Sequence, residues 1–366
     1  MKLYILIFLV LVTTTQQSPA AETTNAAAGT VFQRTTNRGV AFLRKMQNPD
    51  GSYSAELGPG VTAIVATSLL RNGISERDPA VAKALQYIEQ FVQDDGGIYQ
   101  PASIYRNYET SLAMMCFAET KQERFADYLA RAQKFIKKLQ WDDEEGHGLS
   151  SPSYGGAGYG KHKRPDLSNT AFFVEALKAS GLDEDDEAMK RALVFISRCQ
   201  NEESEHNTLE FSIKVGDGGF YYTGAAGGSS QAGQSENGGL RSYGSMTYAG
   251  LKSMIYAGLD KNDRRVQAAT EWISKNYDLQ QNPGMPVGDD GLYYYYHTFA
   301  KALDALGADT IKDDNGKEHR WRAELIAELA KRQQPNGSWV NQSQRWLEGD
   351  AELVTAYALL SLSYCK

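Results

Sequence analysis

Two kinds of helical pattern alternate along the chain. The first is one-sided. Over Arg34–Gln47, Pro79–Gln93, Glu123–Gln140, Glu184–Gln200, Asp263–Gln280 and Lys317–Gln333, apolar residues recur at helical spacing while Lys, Arg, Glu and Asp fill the other face. Leu85, Ile88 and Phe91 show the pattern, as do Leu193, Ile196 and Cys199. Such helices bury one face and leave the other in water. The second kind is apolar or small almost all round, as in Ala63 to Leu70, Leu112 to Ala118 and Ala356 to Leu362. These helices must be covered on most sides.

The second kind carries a recurring threonine: Thr62, Thr110, Thr170, Thr247, Thr298 and Thr355, six copies separated by 48, 60, 77, 51 and 57 residues. A fixed local pattern at irregular spacing predicts one repeated unit with loops of different length. Between the paired helices, Gln47 to Tyr53, Gln93 to Tyr99 and Gln333 to Trp339 read Gln-x-x-x-Gly-x-aromatic. Gly218-Gly219-Phe220 and Gly291-Leu292-Tyr293 are weaker versions. The glycine ends a helix, the glutamine amide satisfies open backbone groups, and the ring covers the corner. Each unit therefore has one half-exposed helix and one buried helix. The expected fold is all-α: an α/α toroid of six helical hairpins in two concentric rings, spanning residues 34–366, with the threonine helices inside. An open solenoid is the alternative, and it would need polar caps at both ends.

The N-terminus adds a leader. Lys2 precedes an apolar run from Leu3 to Val12 that is too short to span a bilayer, and Ser18-Pro19-Ala20-Ala21 supplies small residues for cleavage. Residues 1–21 are expected to be a signal peptide and 22–33 a small-residue linker, which implies a secreted or periplasmic protein with no membrane span in the mature chain. The net charge of -7 and the lack of a basic cluster argue against nucleic acid as a partner. Protein partners are not indicated. Cys116, Cys199 and Cys365 show no metal-like spacing and read as buried free thiols.

The glutamine-to-aromatic motifs and the six threonine helices resemble those of the terpenoid cyclase and protein prenyltransferase superfamily over roughly residues 34 to 364. In squalene–hopene-type cyclases, Asp-x-Asp-Asp-Thr-Ala opens an inner helix and its middle Asp protonates an alkene. The matching positions here are Asp166, Ser168, Asn169, Thr170 and Ala171. The resemblance therefore marks Asp166, Ser168 and Asn169 as candidate catalytic residues, with a serine in the proton donor's place. Prenyltransferase β subunits bind zinc through an Asp, a Cys and a His. His297 before Thr298 resembles the His setting, but Ser242 to Thr247 supplies neither other ligand, so no metal and no cofactor is expected. Complement-type thioester domains share the toroid but need Cys-Gly-Glu-Gln, which this chain lacks.

What remains is an aromatic cavity. Tyr108, Tyr243, Tyr295, Trp346 and His297 are the candidate substrate-binding residues, suited to an apolar or glycan-like small molecule. Glu109, Asp350 and Glu352 stand at inner-helix starts beside them. The glycine-rich loop 216–239 could be a lid or an insertion. The expected function is a divergent enzyme on an isoprenoid-like or carbohydrate substrate, either a cyclase-like isomerase or an α/α-barrel lyase or hydrolase. The alternative is a non-catalytic binding or interaction scaffold.

Overall fold

The computed structural model describes residues 19–160 and 164–366, with side chains from residue 29 onward. The expected leader, residues 1–21, lies almost wholly outside the described residues. The buried helices are α2 (Pro59–Arg71), α4 (Arg106–Thr120), α6 (Leu167–Ala179), α8 (Gly244–Tyr256), α10 (Leu292–Ala305) and α12 (Ala351–Ser363). Each packs on the next and α12 packs back on α2, so the inner ring closes. The outer helices are α1 (Pro19–Met46), α3 (Pro79–Glu89), α5 (Ala126–Lys137), α7 (Glu187–Arg198), α9 (Arg264–Lys275) and α11 (Trp321–Arg332). Helices α3, α5, α7 and α9 lie against the inner helix that precedes them, while α1 lies against α12 and α11. The first helix thereby fastens to the last repeat. The molecule is the α/α toroid that the alternating patterns predict.

Short local interactions explain why the elements form. Asp78, Asp186 and Asp263 cap α3, α7 and α9, each side chain accepting from the second helical amide. The recurring threonines clasp the preceding turn. The hydroxyls of Thr62, Thr110, Thr170, Thr247 and Thr355 accept from the backbone amides of Tyr53, Ile98, Ala157, Phe220 and Trp339. Thr298 departs, donating instead within its own helix to Tyr294 and Tyr295.

The glutamines act between repeats. Gln47, Gln140, Gln200 and Gln333 each donate to a glycine carbonyl of their own turn and to a carbonyl of another outer helix: Ala80, Ala188, Arg265 and Thr35. The glycine of that turn touches the same helix. A Cβ on Gly155 would stand 1.8 Å from the Arg191 carbonyl oxygen, and its φ of +82° disfavours other residues. Gln93 is one residue out of this register. Val92 pairs with Ile98 as Gln200 pairs with Phe220, so Gln93 turns back to the carbonyls of Phe91 and Tyr99.

Three expectations change. Helix α1 runs through residues 22–33, read as linker, and Val31 and Phe32 pack on the core because they continue its apolar stripe. The last outer helix begins at Trp321 rather than Lys317. Strands β1 (Ile311–Lys312) and β2 (Glu318–His319) form a small antiparallel hairpin ahead of it, with Ile311 opposite His319. The six glutamines lie beyond their helices, in the turns. The three cysteines are free and buried, and among the described residues no helix is long and apolar enough to cross a membrane.

Candidate functional site

All six inner helices begin at the same end of the barrel, and their first two turns surround a cavity of about 770 Å3. Gly60 and Val61 come from α2, Tyr108 and Glu109 from α4, Ser168 and Phe172 from α6, Ser245 and Met246 from α8, Tyr294 from α10, and Leu353 and Tyr357 from α12. Loops complete the wall with Tyr105, Tyr159, Tyr222, Gln231, Tyr243 and Trp346. The volume falls within the range of about 300–1,000 Å3 typical of small-molecule sites. Gln231 comes from the glycine-rich loop and holds the Arg345 guanidinium at 2.6 Å, so that loop forms part of the wall.

Six hydroxyls of the wall form three pairs. Ser168 Oγ lies 2.9 Å from Tyr294 Oη, Tyr108 bonds Tyr357, and Tyr159 bonds Tyr222. Burial pushes these phenols up, Tyr159 to about 12, so they remain neutral. The candidate acid stands one layer behind. Asp166 caps α6, accepting from the Asn169 amide at 2.9 Å and from Asn169 Nδ2 at 2.9 Å, and Tyr222 also bonds its carboxyl. Burial raises the Asp166 pKa to about 6, against the lowering effect of those donors and of nearby Arg164. The carboxyl reaches the cavity only through the Tyr222 hydroxyl. At the matching wall position stands Ser168, which has no acidic proton to give.

The structure thus separates the sequence candidates. Ser168, Tyr108, Tyr243 and Trp346 line the cavity. Asp166 and Asn169 lie behind its wall. Tyr295 lies in the core, its hydroxyl donating to the Asp278 carbonyl and its ring packed on Tyr248 and Phe299. Its neighbour Tyr294 faces the cavity instead. His297 sits below the floor, stacked on Tyr357 at 5.7 Å, and its Nδ1 has no hydrogen-bond partner among the described residues. Burial, Lys252 and Arg71 push its pKa down to about 3, so the ring is neutral. Of the helix-start carboxylates, Glu109 lines the cavity, while Asp350 and Glu352 are bridged by Ser54 Oγ at 2.7 and 2.8 Å. Among the described residues no group of three or more His, Cys, Asp or Glu could hold a metal ion.

Several features were not read from sequence. Glu348 is buried beneath the α10 start, accepts from the Tyr293 and Tyr294 amides, and is raised to about 7 by burial. Trp346 and Leu347 have φ of 55° and 65° and project, exposed, at the cavity mouth. Such backbone costs about 1–2 kcal/mol per residue for a side chain with Cβ. Nothing in the local sequence of either feature signals it.

Residues 58–223 match the family described as the squalene-hopene cyclase C-terminal domain. A variant of the type II terpene cyclase MstE from Scytonema, in complex with geranylgeranyl dihydroxybenzoate, superposes with a TM-score of 0.56 at 14% identity, covering 93% of this chain and 98% of that one. A second MstE variant without ligand gives 0.57 at 15% identity over the same shares. A glycosyl hydrolase family 88 protein from Bacteroides vulgatus gives 0.51 at 11% identity, covering 91% and 97%. No curated protein matches the sequence significantly. The barrel is that of these terpene cyclases, and residues 58–223 carry the sequence likeness to the squalene-hopene cyclase C-terminal domain.

Proposed function

We propose that the protein binds an apolar small molecule of isoprenoid-like character in the aromatic cavity, and does not protonate an alkene there. The observation that carries this reading is the separation of cavity and acid. The wall offers about 770 Å3 lined by aromatic faces, and the one carboxyl at the family's acid motif is fully engaged behind it. Protonating an unactivated alkene demands a strong acid in direct reach of the carbon. A serine hydroxyl at the wall is not one. The test is mass spectrometry of small molecules that copurify with the protein. The expected result is one apolar species, lost when Ser168 is replaced by Trp to fill the cavity.

One observation favours a second reading. Asp166, raised to about 6, bonds the Tyr222 hydroxyl, and that hydroxyl lines the cavity. This chain could pass a proton to a ligand atom more basic than an alkene carbon, such as a carbonyl or epoxide oxygen. Asp166→Asn and Tyr222→Phe would then each abolish conversion of such a ligand while leaving its binding within a few-fold.

The apolar run Leu3 to Val12 and the small residues after it support a secreted or periplasmic location, which we propose in addition. Terminal sequencing of the protein made in its own cells tests it; a chain that keeps residues 1–21 contradicts it.

A further inference from the structure

We infer that the cavity is built for an organic cation, a molecule with an apolar body carrying a quaternary or protonated ammonium group. The inference rests on the reading that the cavity binds an apolar ligand and adds a charge to that ligand. Two features of the wall carry it.

The first is the sign of its charges. Among the described residues the cavity wall contains two charged side chains, Glu56 and Glu109, both acidic. Neither takes part in an ion pair of the described residues; Glu56 is exposed to water, whereas Glu109 is buried. Glu109 is 3% exposed and is held by the Gln100 amide at 2.7 Å and Ser103 Oγ at 2.6 Å. Those two donors orient a carboxylate without neutralising it. A buried carboxylate facing an apolar ligand remains uncompensated, and that arrangement is costly. An ammonium ion in the cavity supplies the missing partner. A phosphate or carboxylate ligand would instead meet like charge.

The second is the rings. An ammonium held over the face of an aromatic ring within about 6 Å is attracted by the ring's negative face, more strongly as water is excluded. Tyr108, Tyr159, Tyr243, Tyr294 and Trp346 all border the cavity. Two rings of this wall already have cations close to them. The Arg345 guanidinium lies 4.1 Å from the Trp346 centroid and Arg164 lies 5.3 Å from that of Tyr222. Neither arginine enters the cavity wall, and Arg345 is neutralised by Asp290 at 2.9 Å. Aromatic faces around unpaired carboxylates make a site that selects positive charge through geometry rather than through one strong contact.

The test is calorimetric titration of the wild-type protein with two probes of the same shape, benzyltrimethylammonium and its uncharged carbon isostere neopentylbenzene. The expected result is at least about tenfold tighter binding of the ammonium, as one ion pair and one or two ring contacts would give. Glu109→Gln should narrow that gap, and so should Glu56→Gln, which leaves the Gln100 and Ser103 bonds intact should the first variant fold poorly. Equal affinity for the two probes, or tighter binding of the neutral one, overturns the inference and leaves the apolar cavity standing. Binding of neither overturns both.

Discussion

The two ends of the inner barrel are made by the same six helices and handle polar groups in opposite ways. At the end where the helices begin, hydroxyls pair with hydroxyls around an open cavity, and among the described residues the Glu56 and Glu109 carboxylates of its wall have no ion-pair partner. At the far end, charges are driven together inside the barrel. Glu175 on α6 holds Lys252 of α8 at 2.7 Å and contacts Lys301 of α10 as well. Arg71 pairs with Glu119 at 2.9 Å and lies over the Tyr364 ring. Glu175, Lys252 and Lys301 are each under 7% exposed. Burial and the neighbouring Arg71 draw the Lys252 pKa down to about 7, and its contact with Glu175 works against that fall. The difference shows how one scaffold can be sealed at one end and receptive at the other. Ion pairs that satisfy one another close the barrel, and a cavity walled by aromatic faces leaves it open to a ligand.

The largest expected effect breaks the sealed end. Glu175→Ala removes the shared partner of two buried lysines and should cost about 3–5 kcal/mol of stability in chemical denaturation. A loss below about 1 kcal/mol would show that the far end is not held by charge pairing. The next effect is at the boundary of the receptive end. The Asp166 carboxyl, ordinarily near 3.8, is raised to about 6 in the folded chain. The folded state therefore holds that proton more tightly than the unfolded one. The stabilisation is complete below about pH 4 and is lost as pH rises through about 6, a difference on the order of 3 kcal/mol. Asp166→Asn should remove that component, so the stability gap between variant and wild type should change between pH 4 and 7. Parallel denaturation profiles would contradict the buried-acid account.

A smaller effect sharpens the comparison at the mouth. Trp346→Ala removes a ring from the cavity rim without opening the core, since Trp346 is 43% exposed. It should weaken binding of an apolar ligand by roughly fivefold, about 1 kcal/mol, with little change in melting temperature. A large drop in stability with unchanged affinity would assign Trp346 to packing.

Much of this architecture is legible in the chain because its signals are local. The threonine, the turn glycine and the glutamine each make their bonds within one repeat or to the adjoining outer helix, so a repeated motif suffices to find them. The cavity face of α10 is another matter. Residues Tyr293, Tyr294, Tyr295 and Tyr296 share one side-chain type, and a helix turning about 100° per residue then offers no contrast from which to read its phase. Tyr294 faces the cavity and Tyr295 the core for reasons that lie in neighbouring helices. The same limit applies to Asp166, whose family motif is visible but whose retreat behind Tyr222 depends on a loop 56 residues further on. The sealed end could have been found. Glu175, Lys252 and Lys301 are charges in the middle of helices that are mostly apolar or small, and such residues must seek one another.

The measurement that tests the account most directly is a calorimetric titration of geraniol, a short isoprenoid alcohol, into the wild-type protein and into Ser168→Trp. The account predicts saturable one-to-one binding with a negative heat-capacity change for the wild type, and its loss when the indole fills the cavity at the α6 start. Absence of binding to the wild type, or equal binding to the filled variant, would contradict it.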